Sequence, residues 1–241
     1  MSQDFEELDY QKTPMGDLVL QKRRILMLDG LEVFEVKLGD DWLMSSLFHA
    51  AEVALADLGL AELQEPALDV VVGGLGLGYT AVAALGEKRV RSLLVVDALE
   101  TVIGWHRRGL VPLGKALTGD ARCRFILGDF FALASAPETG FDPEQPARRF
   151  HAVLLDIDHS PSNFLHSRHA SFYEEAGLKQ LAAHLHPGGV FAMWSEEPPA
   201  EDFMQQLARA FGECRAEVVK FANPIQGGES TSTVYIARRR D

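Results

Sequence analysis

The stretch from Leu68 to Asp97 limits the possible folds of this chain more than any other segment. It opens with the apolar run Leu68–Val72, which is typical of a short buried strand. Four glycines follow within six positions: Gly73, Gly74, Gly76 and Gly78. Glycine backbone can turn sharply and come close to a ligand because no Cβ atom stands in the way. The pattern therefore predicts a strand that ends in a tight turn open to a ligand.

The second half of this stretch predicts a helix and another strand. The helix begins near Tyr79–Thr80, so its free N–H groups face the glycine loop. The next strand, Ser92–Val96, ends at Asp97, which lies 19 positions after Gly78. Nucleoside-binding α/β folds place at this point the acid that binds the ribose hydroxyls. The stretch favours a nucleoside site, and a purely structural turn is the alternative.

The glycine spacing distinguishes two kinds of nucleoside site. A dinucleotide site requires Gly-x-Gly-x-x-Gly. Counting from Gly74, the third glycine of that motif is replaced by Tyr79. The observed Gly-x-Gly-x-Gly instead resembles the first motif of class I S-adenosylmethionine-dependent transferases.

Strands and helices alternate after Leu68, which predicts a mainly parallel sheet. The further strands are predicted at Arg124–Leu127, Ala152–Leu155, Val190–Trp194, Ala216–Phe221 and Ser232–Ala237. The predicted fold class is α/β. It is a doubly wound, seven-stranded sheet of the class I methyltransferase type with an antiparallel last strand.

The residues before the glycine stretch have a different pattern. In residues 1–42, Asp29-Gly30 separates alternating apolar stretches, which is a hairpin signal and predicts a small antiparallel β unit. Residues 43–67 are predicted to form a helix, Leu43–Gly59, capped by Ser45 or Ser46, and a linker. Residues 68–241 then form the nucleoside-binding catalytic domain.

The candidate cofactor-binding residues lie where predicted strands end, which is where open α/β sheets bind ligands. They are Gly74, Gly76, Gly78, Asp97, Leu99, Gly128 and Asp129. Asp97 would accept hydrogen bonds from both ribose hydroxyls, with Glu100 as its competitor for this role. Leu99 would cover one face of the adenine, and Gly128-Asp129 would place a carboxylate near its exocyclic amine. The alternative for Asp129 is a helix N-cap.

Asp156 and Asp158 are the candidate catalytic residues. Asp156 ends the fourth strand and would hold a cationic acceptor, deprotonate an amine or steady a sulfonium. Asp158 would pair with it, because two nearby carboxylates attract an ammonium and raise each other's pKa. The alternative is that Asp156 caps the next segment while Asp158 points to solvent. A histidine of the following loop is a further candidate base, and the spacing of its histidines does not suggest a metal.

Composition and charge restrict the classes of partner. The net charge of −12 disfavours nucleic acid and favours cationic or neutral small molecules. No apolar run is long enough to span a bilayer, and the acidic start of the chain is unlike a signal peptide. Cys123 and Cys214 lie far apart, without metal-binding spacing. We expect a cytoplasmic protein without a metal that binds neither nucleic acid nor membranes.

With these residues in place, the chain resembles the spermidine synthase family and its spermidine-synthase-like relatives along nearly its whole length. The matching features are the turn Leu28–Gly30, Phe48-His49 in place of Tyr-His, the glycine loop, Asp97, Gly128-Asp129, Asp156 and Phe172-Tyr173. The resemblance implies aminopropyl transfer from decarboxylated S-adenosylmethionine to an amine. It also implies a dimeric or tetrameric assembly, and a homodimer is our expectation.

Three positions depart from the family pattern. Leu77 stands where the glycine loop of the family carries an acid that binds the aminopropyl ammonium, and Ala50 replaces the Glu after Tyr-His. The second acid of the family's Asp-x-x-Asp motif becomes His159 or has shifted to Asp158. Ordinary S-adenosylmethionine brings its own carboxylate, which the N–H groups of the glycine loop can hold.

From these departures, the sequence leads to three hypotheses. The first is a transferase that moves the methyl group of S-adenosylmethionine to a small molecule. The second is an aminopropyltransferase that uses decarboxylated S-adenosylmethionine and a polyamine. The third is a protein that binds the nucleoside without turnover. In the first two the partner is a small-molecule acceptor, with a cationic amine as the candidate.

Overall fold

The computed structural model describes residues 5–13 and 15–240. The chain forms two sheets, one of four strands and one of seven. The strands of the small sheet are β1 Phe5–Thr13, β2 Gly16–Ile25, β3 Leu31–Leu38 and β4 Asp41–Ser45. All neighbouring strands in it are antiparallel, in the order β1-β2-β3-β4. The small N-terminal antiparallel β unit is therefore confirmed.

The hairpin between β2 and β3 forms at the predicted turn. Asp29 has a φ of 55° and Gly30 a φ of 74°, both in the left-handed region that Asp, Asn and Gly tolerate best. Before the turn, residues 26–28 form a short 3₁₀ helix rather than part of a strand. The expected boundary at residue 42 lies inside β4.

The large sheet carries the nucleoside-binding pattern. Its strands are β5 Leu68–Gly73, β6 Val90–Asp97, β7 Cys123–Leu127, β8 Phe150–Leu155, β9 Leu185–Ser195, β10 Gly212–Ala222 and β11 Glu229–Arg239. Their order is β10-β11-β9-β8-β5-β6-β7, with β11 antiparallel to both of its neighbours. The first five are mutually parallel wherever they pair. The predicted fold class is confirmed, including the antiparallel last strand.

Helices cover both faces of this sheet. They are α1 Ala50–Ala61, α2 Tyr79–Gly86, α3 Glu100–Arg108, α4 Gly114–Gly119, α5 Phe130–Ala134, α6 Glu175–Ala182 and α7 Glu201–Ala210. Val70 and Val72 belong to the apolar cluster that includes residues of α1 to α4, whereas Val71 belongs to the cluster with α5 to α7. This alternation along one strand shows that both faces are buried, as a doubly wound sheet requires.

The helix α1 starts later than the sequence pattern predicts. Residues 41–45 pair with β3 as a strand, so the helix begins at Ala50 with His49 as its N-cap. His49 makes no side-chain capping bond, and neither expected serine is the cap. No helix within residues 5–13 and 15–240 is long and apolar enough to cross a membrane.

Candidate active site

A cavity of about 570 Å³ lies where the parallel strands of the large sheet end. Its walls come from the loops after β5, β6, β7, β8 and β9, from the turn between β10 and β11, from the start of α1, and from the N-terminal sheet. Ligands of open α/β sheets bind at this edge. The cavity is therefore the candidate active site.

The glycine loop forms one wall of the cavity and can exist only with glycine at its key position. Gly74 has a φ of 94°, and a Cβ there would lie 2.1 Å from the carbonyl oxygen of Asp156. The loop is fixed from below by His106, whose Nε2 lies 2.8 Å from the carbonyl oxygen of Gly76. Gly78, with a φ of 96°, is the N-cap of α2. Gly74, Gly76 and Gly78 all line the cavity, and their binding of a cofactor stays a prediction.

Asp97 lines the cavity at the end of β6 and also holds the glycine loop. Its Oδ2 accepts from the backbone N–H of Leu75 at 2.9 Å, and its Oδ1 accepts from that of Leu99 at 2.8 Å. Burial raises the pKa of Asp97, although these backbone N–H groups act to lower it. Each carboxylate oxygen can accept a second hydrogen bond. Asp97 and Leu99 both line the cavity, and their binding of ribose and adenine stays a prediction.

Asp129 combines the two roles that the sequence left open. Its Oδ1 accepts from the backbone N–H groups of Phe131 at 3.0 Å and Ala132 at 3.3 Å, so it caps α5. Asp129 also lines the cavity. Gly128 does not line it, contrary to our expectation. Its N–H instead donates to the carbonyl oxygen of Asp97 at 3.0 Å, because the two strand ends pair there.

Asp156 lies in the cavity at the end of β8, beside the glycine loop. The hydroxyl of Thr80 donates to its Oδ2 at 2.8 Å. Burial raises the pKa of Asp156 to about 6, although the Thr80 hydrogen bond acts to lower it. The carboxylate is thus held in one orientation and can carry either charge state near neutral pH.

Glu52 is a functional candidate that sequence reasoning missed. It lies in the first turn of α1, lines the cavity and is partly buried. Burial and the nearby charge of Asp156 raise the pKa of Glu52 to about 8. The signal in the sequence is the spacing of Glu52 from Ala56 and Gly59, which lie one and two turns later on the same helix face. The structure buries both of these small residues. An acid on the buried face of a helix needs a partner.

Among the residues that the structure describes, no cation lies beside the pair of Glu52 and Asp156. No basic side chain contributes to the pKa of either carboxyl group within the described part of the chain. Buried acids are normally paired with a positive group or protonated. The pair is therefore suited to a cationic ligand.

Asp158 is not at the site where we expected it. Its side chain is buried, does not line the cavity, and accepts from Leu165 N at 2.8 Å and from the hydroxyl of Tyr173 at 2.8 Å. The Nδ1 of His169 lies 2.9 Å from its Oδ1. These donors all come from the segment that follows, so Asp158 holds that segment in place and does not pair with Asp156. His159, His166 and His169 line the cavity.

Within residues 5–13 and 15–240, no three His, Cys, Asp or Glu side chains are grouped so as to hold a metal ion. No family model matches the chain. A curated relative, the polyamine aminopropyltransferase of Sulfolobus acidocaldarius, is 25% identical over 175 residues, which are 70% of this chain and 50% of the relative. The chain thus spans about half the length of that relative.

Two solved structures have a closely similar fold. The crystal structure of spermidine synthase from Thermotoga maritima matches with a TM-score of 0.73 over 97% of this chain and 72% of that one, at 14% identity. The chain has the spermidine synthase fold. A crystal structure of spermidine synthase in complex with the transition-state analogue AdoDATO gives the same TM-score of 0.73, at 14% identity, over 97% of this chain and 73% of that one. The resemblance to the spermidine-synthase-like family is confirmed.

Proposed function

We propose that this protein is an aminopropyltransferase that uses decarboxylated S-adenosylmethionine and an amine acceptor. The observation that carries the proposal is the pair of Glu52 and Asp156, two acids beside the glycine loop that have no counter-ion among the described residues. The decarboxylated donor presents a sulfonium and an ammonium and no carboxylate. Ordinary S-adenosylmethionine would bring its own carboxylate toward the pair, and like charges repel.

The residues of the cavity fit the nucleoside part of such a donor. The glycine loop leaves room where any Cβ on Gly74 would collide with backbone. Asp97, Leu99 and Asp129 line the cavity from the ends of β6 and β7. In this assignment Asp97 binds the ribose, Leu99 covers the adenine, and Asp129 accepts from its amine through the oxygen that the helix cap does not use.

Glu52 takes over the work of the acid that the glycine loop lacks. Leu77 occupies that loop position and is buried, so it offers no charge to an ammonium. Glu52 reaches the same cavity from α1 on the other side. A charge-assisted hydrogen bond to a carboxylate contributes about 1.5–3 kcal/mol. Glu52 on α1 therefore supplies the carboxylate for the donor ammonium that the glycine loop cannot supply, because the loop carries Leu77.

Asp156 orients and deprotonates the acceptor. The donor, when bound, supplies a carbon activated by its sulfonium: the acceptor nitrogen bonds to that carbon while the carbon–sulfur bond breaks and its electron pair remains on the neutral thioether. The proton lost by the nitrogen goes to Asp156, which Thr80 holds in position. Alignment of the two reacting atoms in the cavity supplies the rest of the rate enhancement.

Methyl transfer, our first hypothesis, is not supported by the relatives, which are a polyamine aminopropyltransferase and a spermidine synthase. No observation favours our third hypothesis, a protein that binds the nucleoside without turnover. A cytoplasmic homodimer that binds neither nucleic acid nor membranes stays a prediction.

A product assay tests the proposal. The protein is incubated with a panel of primary amines and either donor, and the nucleoside products are separated by mass spectrometry. We expect methylthioadenosine from the decarboxylated donor and no S-adenosylhomocysteine from ordinary S-adenosylmethionine. S-adenosylhomocysteine formation, or no product from either donor, would reject aminopropyl transfer.

A further inference from the structure

The cavity continues beyond the acid pair, away from the nucleoside residues. The sheet order places β9, β11 and β10 on the side of β8 opposite to β5, β6 and β7. The walls in this direction are Trp194, Phe221 and Ile225, and Leu47 and Phe48 line the cavity from the segment before α1. We call these five residues the acceptor chamber. The rings of Phe48 and Phe221 lie 6.2 Å apart.

The five side chains of the acceptor chamber are all uncharged. The neighbouring acid Glu196 also lines the cavity, but its side chain is 48% exposed to solvent and is not enclosed by these five residues; its Oε2 lies 3.6 Å from Nδ1 of His159. Asn223 is occupied by its own turn, since its Oδ1 accepts from the backbone N–H groups of Ile225 at 3.1 Å and Gln226 at 3.0 Å.

The acid on the side of the N-terminal sheet, Glu35, is neutralised by an arginine. Glu35 is buried, and Arg23 donates to its carboxylate from Nε at 2.8 Å. Gln21 donates to its other oxygen at 2.9 Å. An ammonium arriving here would compete with a guanidinium that is already in place.

A linear diamine therefore fits this site poorly. Its first nitrogen would meet Asp156, but its second ammonium would lie against aromatic and aliphatic side chains, where an unpaired charge is costly. An apolar substituent in the same place is favourable, at about 25 cal/mol for each Å² removed from water. Sites of this kind combine apolar walls with a few polar groups that fix orientation.

We propose that the acceptor is a primary monoamine with an aromatic or branched aliphatic body, which the acceptor chamber binds while Asp156 binds the nitrogen. The inference rests on the proposed function, because it names the acceptor class of the same reaction. The chamber determines specificity and takes no part in the bond exchange.

Competition between acceptors tests this inference. With decarboxylated S-adenosylmethionine as donor, kcat/KM is measured for 2-phenylethylamine, hexylamine and 1,4-diaminobutane from the release of methylthioadenosine. We expect 2-phenylethylamine to exceed 1,4-diaminobutane at least tenfold. A preference for 1,4-diaminobutane overturns the inference and leaves the proposed function standing. No methylthioadenosine with any amine overturns both.

A variant that adds a charge tests the location of the chamber. Ile225 is 37% exposed, so Ile225→Glu can be tolerated and places a carboxylate at the far end. We expect this change to shift the ratio of kcat/KM values at least tenfold toward 1,4-diaminobutane. Val218→Glu, on the same hairpin at a side chain that is 49% exposed and outside the cavity, is the matched control and should leave the ratio unchanged. An unchanged ratio in Ile225→Glu, or an equal shift in both variants, contradicts the assignment.

Discussion

At the scale of single residues, the main feature of the site is a pair of acids, Glu52 and Asp156, that keeps a proton near neutral pH. Burial raises the pKa of both Glu52 and Asp156, and the charge of Asp156 raises that of Glu52 further, to about 8. A bound cation would lower both pKa values and release the proton. Binding of a cationic ligand should consequently strengthen as the pH rises from 6 to 8.

The same proton makes stability depend on pH in a defined direction. The pKa of Glu52 is raised from 4.5 to about 8, so the folded protein keeps a proton that the unfolded chain has released. The resulting stabilisation is complete below pH 4.5 and is lost as the pH rises through 8. Glu52→Gln stays neutral throughout, so its free energy of unfolding at pH 8 should exceed that of the parent. We expect a difference of at least about 1 kcal/mol, a cautious lower bound because a shift of one pKa unit already corresponds to about 1.4 kcal/mol.

Denaturant unfolding at pH 5 and pH 8 measures this difference. The control is Asp57→Asn, which removes an exposed acid from the same helix and should show no such pH dependence. A Glu52→Gln variant that gains equally at both pH values, or loses stability at pH 8, would contradict the buried acid pair.

Asp97 supports a separate prediction about the nucleoside. Asp97→Asn replaces a carboxylate oxygen with an N–H₂ group that opposes the backbone donors of Leu75 and Leu99. We expect affinity for methylthioadenosine, measured by calorimetry, to fall more than tenfold. Glu100→Gln changes the exposed neighbouring acid and should leave affinity unchanged. The reverse pattern would assign ribose binding to Glu100.

At the scale of elements, the segment between β8 and α6 forms one wall of the cavity and depends on Asp158. Hydrogen bonds to Asp158 from Leu165, His169 and Tyr173 fold the segment back over its own start. His169 also stacks on Phe131 of α5, with 3.8 Å between ring centroids. Asp158 thus positions this segment, whereas in our proposal Asp156 is the residue that contacts the acceptor.

Matched substitutions separate these two roles. Asp158→Asn should lower the free energy of unfolding by about 1–3 kcal/mol, because it disrupts a buried acceptor with several donors. It should also raise KM for the acceptor while donor affinity changes little. Asp156→Asn should lower kcat with donor affinity nearly intact. An Asp158→Asn protein as stable as the parent and with unchanged KM would remove the positioning role.

Comparison of these elements with the sequence shows which sequence patterns are sufficient to predict secondary structure. The glycine stretch predicts β5, α2 and β6 to within a few residues, because local propensity and burial agree there. β1 was missed because Phe5–Thr13 is mostly exposed and becomes a strand only by pairing with β2. The predicted helix start at Leu43 was wrong because pairing with β3 overrides helical periodicity. Glu52 was missed because its partner, Asp156, is more than a hundred positions away.

At the scale of the whole molecule, the sheet order separates the cavity into two regions on opposite sides of β8. The candidate nucleoside residues lie at the ends of β5, β6 and β7, and the proposed acceptor chamber lies toward β9, β11 and β10. β8, with Asp156 at its end, is the boundary at which the transferred group would move. The start of α1 brings Glu52 to the same point. Two parts of the chain that are distant in sequence therefore form one charged site.

The most direct measurement is a calorimetric titration of the protein with both donors at pH 8. The acid pair predicts that decarboxylated S-adenosylmethionine binds at least tenfold more tightly than S-adenosylmethionine. Glu52→Gln should largely abolish that preference, while Asp57→Asn should keep it. If S-adenosylmethionine binds the parent protein as tightly as the decarboxylated form, or more tightly, the assignment of Glu52 and Asp156 to a cationic donor is wrong.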